Sequence, residues 1–261
     1  MIEVQNLNFA YEKEKALKKI NIKFKKGELT CLLGANGSGK TTIIKSLNGI
    51  IERDNGEILI DKNSIDNLKQ SEIAQKISMV PQEHTSIFSY KSIDVVTMGV
   101  TPYLDFGSQP KKEDYNKAKK IMDKLNILEL AVRNYNQLSG GERQLVLIAR
   151  ALMQNTDYIL LDEPTSHLDF KNQHLIMFEL KKLSRRNKGI ITALHDPNLA
   201  LKYCDNVIII KNGEVLDSGE SSEVMTSENL SKVYDTEIIV NELLNQVEIG
   251  DLNSKEIKEV I

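Results

Sequence analysis

The sequence has two cysteines, no long apolar run and no surplus of positive charge, and each shortage removes a class of protein. Cys31 and Cys204 are too few for a disulfide framework. Each sits in or beside an apolar, strand-like run, where a reduced core thiol is the expected state. The longest apolar runs, residues 159–161, 207–210 and the stretch 145–149, fall far short of the roughly 20 residues that a membrane-spanning helix needs. Thirty-four basic against 37 acidic residues give a formal charge of −3. A protein that binds polyanions broadly carries a basic excess, so no nucleic-acid partner is expected. The first residues, Met1-Ile2-Glu3-Val4, show neither a basic stretch nor an apolar core, so no secretory leader is expected. A soluble, cytoplasmic chain is the reading that remains.

What is there is an ordinary globular composition, 41% hydrophobic and 27% charged over 261 residues. That length fits one large domain or two small ones. Two alternating stretches, around 2–9 and 17–24, predict half-buried antiparallel strands. The continuous apolar run 29–33 predicts a buried strand, followed by a helix over 41–48 and strands at 57–60 and 77–80. From about 92 to 154 the pattern becomes helical: Tyr115, Ala118, Ile121, Met122 and Leu125 share one spacing, and Leu145, Ile148, Ala149 and Leu152 another. Strand and helix then alternate again, with strands at 158–161 and 190–194 around a helix over 171–186. Asp196-Pro197 offers an N-cap and a first-turn proline. Strands at 206–210 and 214–216 flank an Asn-Gly turn, which predicts a hairpin. The tail from about 236 is polar and charged with isolated apolar residues. The fold class is therefore α/β, with a mostly helical insert.

Two motifs carry chemistry. Gly34-Ala35-Asn36-Gly37-Ser38-Gly39-Lys40-Thr41 fits the strand–GxxxxGK[ST]–helix pattern. Glycines let the backbone wrap a pyrophosphate with its amides pointing inward, and the next helix presents its positive end to the same anion. Lys40 should reach the β- and γ-phosphates, and the Thr41 hydroxyl should ligand Mg²⁺. Thr42 continues the binding segment. Further on, Tyr158-Ile159-Leu160-Leu161-Asp162-Glu163 is an apolar strand ending in two acids, at the ligand-binding edge of a parallel sheet. Asp162 is the candidate Mg²⁺ ligand, and Glu163 the candidate base that orients or deprotonates the attacking water.

Between these motifs lies Leu138-Ser139-Gly140-Gly141-Glu142-Arg143-Gln144. Ser139-x-x-Glu142 is a capping box, and the paired glycines leave bare amides at a helix start. This segment resembles the signature motif of ABC ATPases, and the other landmarks of that family follow in order. The resemblance implies a P-loop NTPase core with an antiparallel β subdomain and a helical signature-motif subdomain at about 88–155. All of it belongs to a single ABC-type domain over 1–261, with a tail at about 236–261. It also implies that ATP and Mg²⁺ are bound, and that Ser139, Gly140 and Gly141 close on the γ-phosphate held by a second copy, making a head-to-tail homodimer. Tyr11 matches the aromatic that stacks on adenine. Gln82 matches the glutamine that contacts metal or water and senses the transport partner. Asp169, in Ser166-His167-Leu168-Asp169, matches the aspartate that crosses the dimer interface, and His195 the switch histidine at the γ-phosphate. Glu142 stands where the family more often has Gln. His84, His167 and His174 match no landmark and read as surface or loop residues.

The segment from Phe88 to Tyr103, together with Asp196-Pro197-Asn198-Leu199-Ala200 and Ser227-Glu228-Asn229-Leu230, resembles the importer subfamily serving iron(III) siderophores, haem, cobalamin and, in some members, molybdate. Val100 stands where that subfamily usually has Arg. The resemblance implies a peripheral subunit at the cytoplasmic face of the membrane. It implies two integral-membrane permease partners and, indirectly, a substrate-binding protein. The alternatives are the ATPase subunit of an ABC exporter and a soluble ABC ATPase not linked to transport.

Overall fold

The computed structural model describes residues 1–12, 14–82, 89–105, 107–166, 168–241 and 246–249. In chain order the strands and α-helices are β1 (Ile2–Tyr11), β2 (Glu14–Phe24), β3 (Leu29–Leu33), α1 (Lys40–Leu47), β4 (Asn55–Ile60), β5 (Asn63–Ser64), α2 (Gln70–Lys76), β6 (Ile77–Val80), α3 (Ser92–Thr97), α4 (Lys112–Lys124), α5 (Gly140–Gln154), β7 (Tyr158–Asp162), α6 (Phe170–Ser184), β8 (Gly189–Leu194), α7 (Pro197–Tyr203), β9 (Asn206–Lys211), β10 (Glu214–Glu220), α8 (Ser221–Val224), α9 (Ser227–Tyr234), β11 (Ile238–Asn241) and β12 (Gln246–Ile249).

The central sheet runs β10-β9-β3-β8-β7-β6, parallel throughout except at the β9–β10 hairpin. Every residue of β3, β7 and β8 is buried. That burial follows from covering both faces, as parallel sheets require. Leu29, Cys31 and Leu33 of β3, with Ile159 and Leu161 of β7, join one core cluster with α4, α5, α6 and α7. The alternate residues Leu32, Leu160, Ile191 and Ala193 join a second cluster, formed with α1 and the antiparallel sheet β2-β1-β4-β5. Period-two alternation therefore splits each strand between two cores. The helices α3, α4 and α5 contribute to the first cluster through Val95, Val96, Ala118, Met122, Leu145 and Ile148, so the helical insert shares a core with the sheet. Cys31 and Cys204 lie buried as free thiols.

Register places the site. Leu33 pairs with Leu194 and Asp162 with Ala193, so β3, β7 and β8 end at one edge, with β6 beside β7. The residues that follow those ends are the glycine loop, Glu163, His195 and Gln82. Among the described residues no helix is long and apolar enough to cross a membrane.

Several elements depart from the sequence expectations. The sixth helix starts at Phe170 because Asp169 caps it, accepting from the Asn172 amide at 2.8 Å. The tail is not merely polar: β11 and β12 form an antiparallel hairpin in which Ile238 is buried and Val240 and Val247 pack on the main core. His174 is no loose surface residue. It is half-buried on α6, with its Nδ1 2.8 Å from the Tyr203 hydroxyl. His84 and His167, and Phe88 at the start of the proposed partner segment and of the insert, lie outside the described residues.

Candidate active site

Between β3 and α1 the chain makes a loop that only glycine permits at two points. Gly39 sits at φ 109°, and a Cβ there would stand 2.8 Å from Leu17 Cδ2. At Gly34 a Cβ would stand 2.3 Å from the carbonyl oxygen of Ile210, because β9 passes directly behind the loop. The first turn of α1 has no side-chain cap, so its amides face the loop's interior unsatisfied by the helix. Among the described residues the buried Ser38 Oγ has no hydrogen-bond partner. Lys40 is only 3% exposed, and its Nζ donates to the carbonyls of Gly34 at 2.8 Å and Ala35 at 2.9 Å. Burial pushes the Lys40 ammonium below its usual pKa, against the opposing pull of Glu163 and Asp162. A buried cation held by carbonyls, a buried hydroxyl without a described partner and an uncapped helix start together fit a polyphosphate.

The acids at the end of β7 complete the site. Asp162 is 2% exposed and accepts from Thr41 Oγ1 at 3.0 Å. Burial raises its pKa, and the Thr41 hydrogen bond opposes that rise. A hydroxyl and a carboxylate side by side, with the Gln82 amide nearby, are hard oxygen donors of the kind Mg²⁺ prefers. Glu163 adopts the left-handed region at φ 51°, a strained conformation for a residue with a side chain. Its amide donates to the carbonyl of Ala193 at 3.2 Å, which locks that bend to β8. The Glu163 carboxylate is engaged at both oxygens, Oε2 by Gln82 Nε2 at 2.7 Å and Oε1 by His195 Nε2. Three strand ends thus converge on one carboxylate.

Gln82, Glu163 and His195 open onto a cavity of about 640 Å³, also lined by Tyr11, Asn36, Gly37, Ser38, Gly39, Lys40, Thr41 and Thr42, whereas Gly34 and Asp162 are not among its lining residues. Tyr11 is half exposed at its mouth, edge-on to Phe9 with ring centroids 4.7 Å apart. Further lining residues escaped the sequence reading: Glu14, Lys15, Ala16, Lys18, Asn212 and Gly213. The Asn-Gly turn is indeed a hairpin turn, with φ of 50° and 79°. Beyond that, the Gly213 amide donates to the Ser38 carbonyl at 3.0 Å, and the Gly213 carbonyl accepts from Lys18 at 2.8 Å. The turn therefore buttresses the glycine loop. That role follows from tertiary packing, and no local signal in the sequence announces it.

Ser139, Gly140, Gly141 and Asp169 do not line this cavity. Ser139 caps α5: its Oγ accepts from the Glu142 amide at 3.3 Å, while the Ser139 amide donates to Glu142 Oε2 at 2.8 Å. Glu142 also accepts from Arg133 Nη1 at 2.7 Å. A glutamine could make the cap but not the ion pair. The backbone hydrogen bond from Ser139, with help from Arg133, holds the Glu142 carboxyl below its ordinary 4.5. A depressed folded pKa stabilises above the unfolded value and loses that stabilisation as pH falls through the folded one. Glu142→Gln is therefore expected to be less stable than the parent at pH 7, with the difference shrinking below about pH 4.5. Thermal melts of both chains across pH 3 to 7 would check this, and a pH-independent difference would count against it.

A family model described as ABC transporter matches residues 17–166. The chain belongs to the ABC transporter family. A petrobactin import ATP-binding protein of Bacillus subtilis (strain 168) is 32% identical, over 94% of this chain and 97% of that protein. Among solved structures, a chain of an inward-facing ABC transporter assigned to the metal-chelate type superposes with TM-score 0.82 at 31% identity, covering 98% of each chain. A dimeric ATP-binding cassette in a post-hydrolysis state with ADP and Pi superposes with TM-score 0.75 at 30% identity, covering 85% of this chain and 99% of that one. As an ABC cassette, this chain binds ATP and hydrolyses it.

Proposed function

We propose that this cassette powers import of a metal chelate, an iron(III) siderophore, haem or cobalamin, with molybdate in the same class. It works as a homodimer on the cytoplasmic face of the membrane, beneath two integral-membrane permease subunits that receive cargo from a substrate-binding protein. One observation carries the dimer. The cavity gathers Tyr11, the glycine loop, Gln82, Glu163 and His195, while Ser139, Gly140, Gly141 and Asp169 lie outside it. A second copy supplies those four groups to this cavity, and a two-fold axis supplies them in return.

The geometry supports the following roles. Tyr11 stacks on the adenine. Gly34, Asn36, Gly37, Ser38, Gly39, Lys40 and Thr42 hold the phosphates, Lys40 turning from its loop carbonyls to the β- and γ-oxygens. Thr41 and Asp162, with Gln82, would hold Mg²⁺, which when bound would neutralise charge on the phosphate oxygens. Glu163 takes the proton of the attacking water once Gln82 and His195 give up one of its oxygens. His195 then turns to the γ-phosphate.

The importer reading rests on the relatives and on the surface that follows Gln82. There Tyr90, just before α3, and Met98 and Tyr103, in the turn after it, are exposed large side chains. Gly99 packs so closely on α5 that a Cβ would stand 2.4 Å from the Arg150 carbonyl. Force applied at this surface therefore reaches α5, whose first turn carries the signature residues. Val100, half-buried against the core, leaves no cation at this point of the surface. The test is proteoliposomes holding the cassette, its permease and the binding protein. ATP supplied on the cassette side should drive accumulation of iron(III) siderophore from the opposite side. Efflux of the same cargo would overturn the direction, and ATP hydrolysis indifferent to the permease would overturn transport.

A further inference from the structure

The family model ends at residue 166, and the segment near the C-terminus makes two contacts that reach the histidine of the site. Tyr234, the last residue of α9, donates its hydroxyl to the backbone carbonyl of His195 at 3.2 Å. Three residues on, Asn198 pairs with β12 as a strand would. Its Nδ2 donates to the Val247 carbonyl at 3.2 Å, and its Oδ1 accepts from the Val247 amide at 2.8 Å. The C-terminal elements are themselves one tied unit. Ser231 Oγ accepts from the Ile238 amide, and Ser227 Oγ from the Val240 amide, each at 2.9 Å. Val240 and Val247 pack on the main core. Between the two contacts, Asp196 caps α7 by accepting from the Asn198 amide at 2.8 Å. β12 is therefore tied by hydrogen bonds to Asn198 and through it to Asp196, the residue bonded to His195, while Tyr234 holds the His195 carbonyl directly and the His195 ring meets Glu163.

We infer that the unit formed by α9, β11 and β12 is a positioning element for His195, with Tyr234 fixing the histidine's own carbonyl and Asn198 tethering the loop after it. His195 stands just past the end of β8, where the ladder no longer sets its backbone, and a small rotation there would carry the imidazole away from the γ-phosphate. Positioning errors of this kind lower the rate of the chemical step far more than they change substrate affinity. Burial raises the Tyr234 phenol above its usual pKa, so it remains a donor at any working pH. The inference rests on the proposed role of His195.

Steady-state ATPase kinetics of the full chain, with Tyr234→Phe, His195→Ala and the double variant, separate the possibilities. Tyr234→Phe is expected to lower kcat about 5-fold with KM for ATP unchanged, the loss of one hydrogen bond to a moving part. Its thermal midpoint should stay within about 2 °C of the parent. In the His195→Ala background the same change should cost nothing further. Losses that multiply in the double variant, or an unchanged kcat in Tyr234→Phe, overturn the inference while leaving the role of His195 intact. An unchanged kcat in His195→Ala overturns that role and the inference together. Should Tyr234→Phe fail to fold, Asn198→Ala decides by the same criteria.

Discussion

Glu163→Gln lowers kcat for ATP hydrolysis by about 10³-fold, the scale expected for losing a general base, while ATP binding is retained. The replacement keeps the shape of the side chain and its reach to Gln82 and His195, which hold the carboxylate at both oxygens. It removes only the capacity to take a proton. Asp162 stays in place with its Thr41 hydrogen bond at 3.0 Å, so the metal ligands are untouched. With hydrolysis stopped, the ATP-bound dimer should accumulate, visible as a doubling of mass by size exclusion with light scattering. Turnover near the parent rate would remove Glu163 from the role of base.

Lys40→Ala should weaken ATP binding by about 100-fold, since it removes charge-assisted hydrogen bonds worth roughly 3 kcal/mol in total. Its effect on the nucleotide-free protein should run the other way. Lys40 is buried, no carboxylate among the described residues lies within bonding distance of it, and burial already lowers its pKa. Replacing it relieves a desolvation cost that Glu163 and Asp162 offset only in part, at the expense of two hydrogen bonds to loop carbonyls. The thermal midpoint without nucleotide should therefore hold or rise while ATP affinity, read by calorimetry, collapses. Unchanged affinity would remove Lys40 from the phosphate site. A large fall in the midpoint would mean that Lys40 holds the loop together rather than waiting for an anion.

Much of this site is legible in the sequence because its parts are local. An apolar run, a glycine loop and a lysine opening a helix need no tertiary information, and residues 29–33 form the expected strand. Asp162 and Glu163 close a strand, and the Ser139–Glu142 cap is a four-residue event. What stays hidden is contributed by contacts between distant segments. Gly213 and Lys18 belong to different sheets and meet only because β2 packs beside the β9–β10 turn. The short helices α2, α3 and α8 are seven residues or fewer, too short to display a helical period. The hairpin β11–β12 was invisible for a related reason. Its strands have four residues each, and their apolar members gain meaning only by packing on α7 and α9. The positioning of His195 by Tyr234 spans 39 residues and belongs to the same class.

In the proposed dimer, the Ser139–Gly141 turn of one copy closes over a nucleotide held by the glycine loop of the other. The most direct measurement is a structure of Glu163→Gln with ATP and Mg²⁺. Two triphosphates should then lie at a two-fold interface, each between Lys40 of one chain and Ser139 and Gly141 of its mate. A complex in which those two residues face away from every triphosphate, lattice symmetry included, would contradict the account.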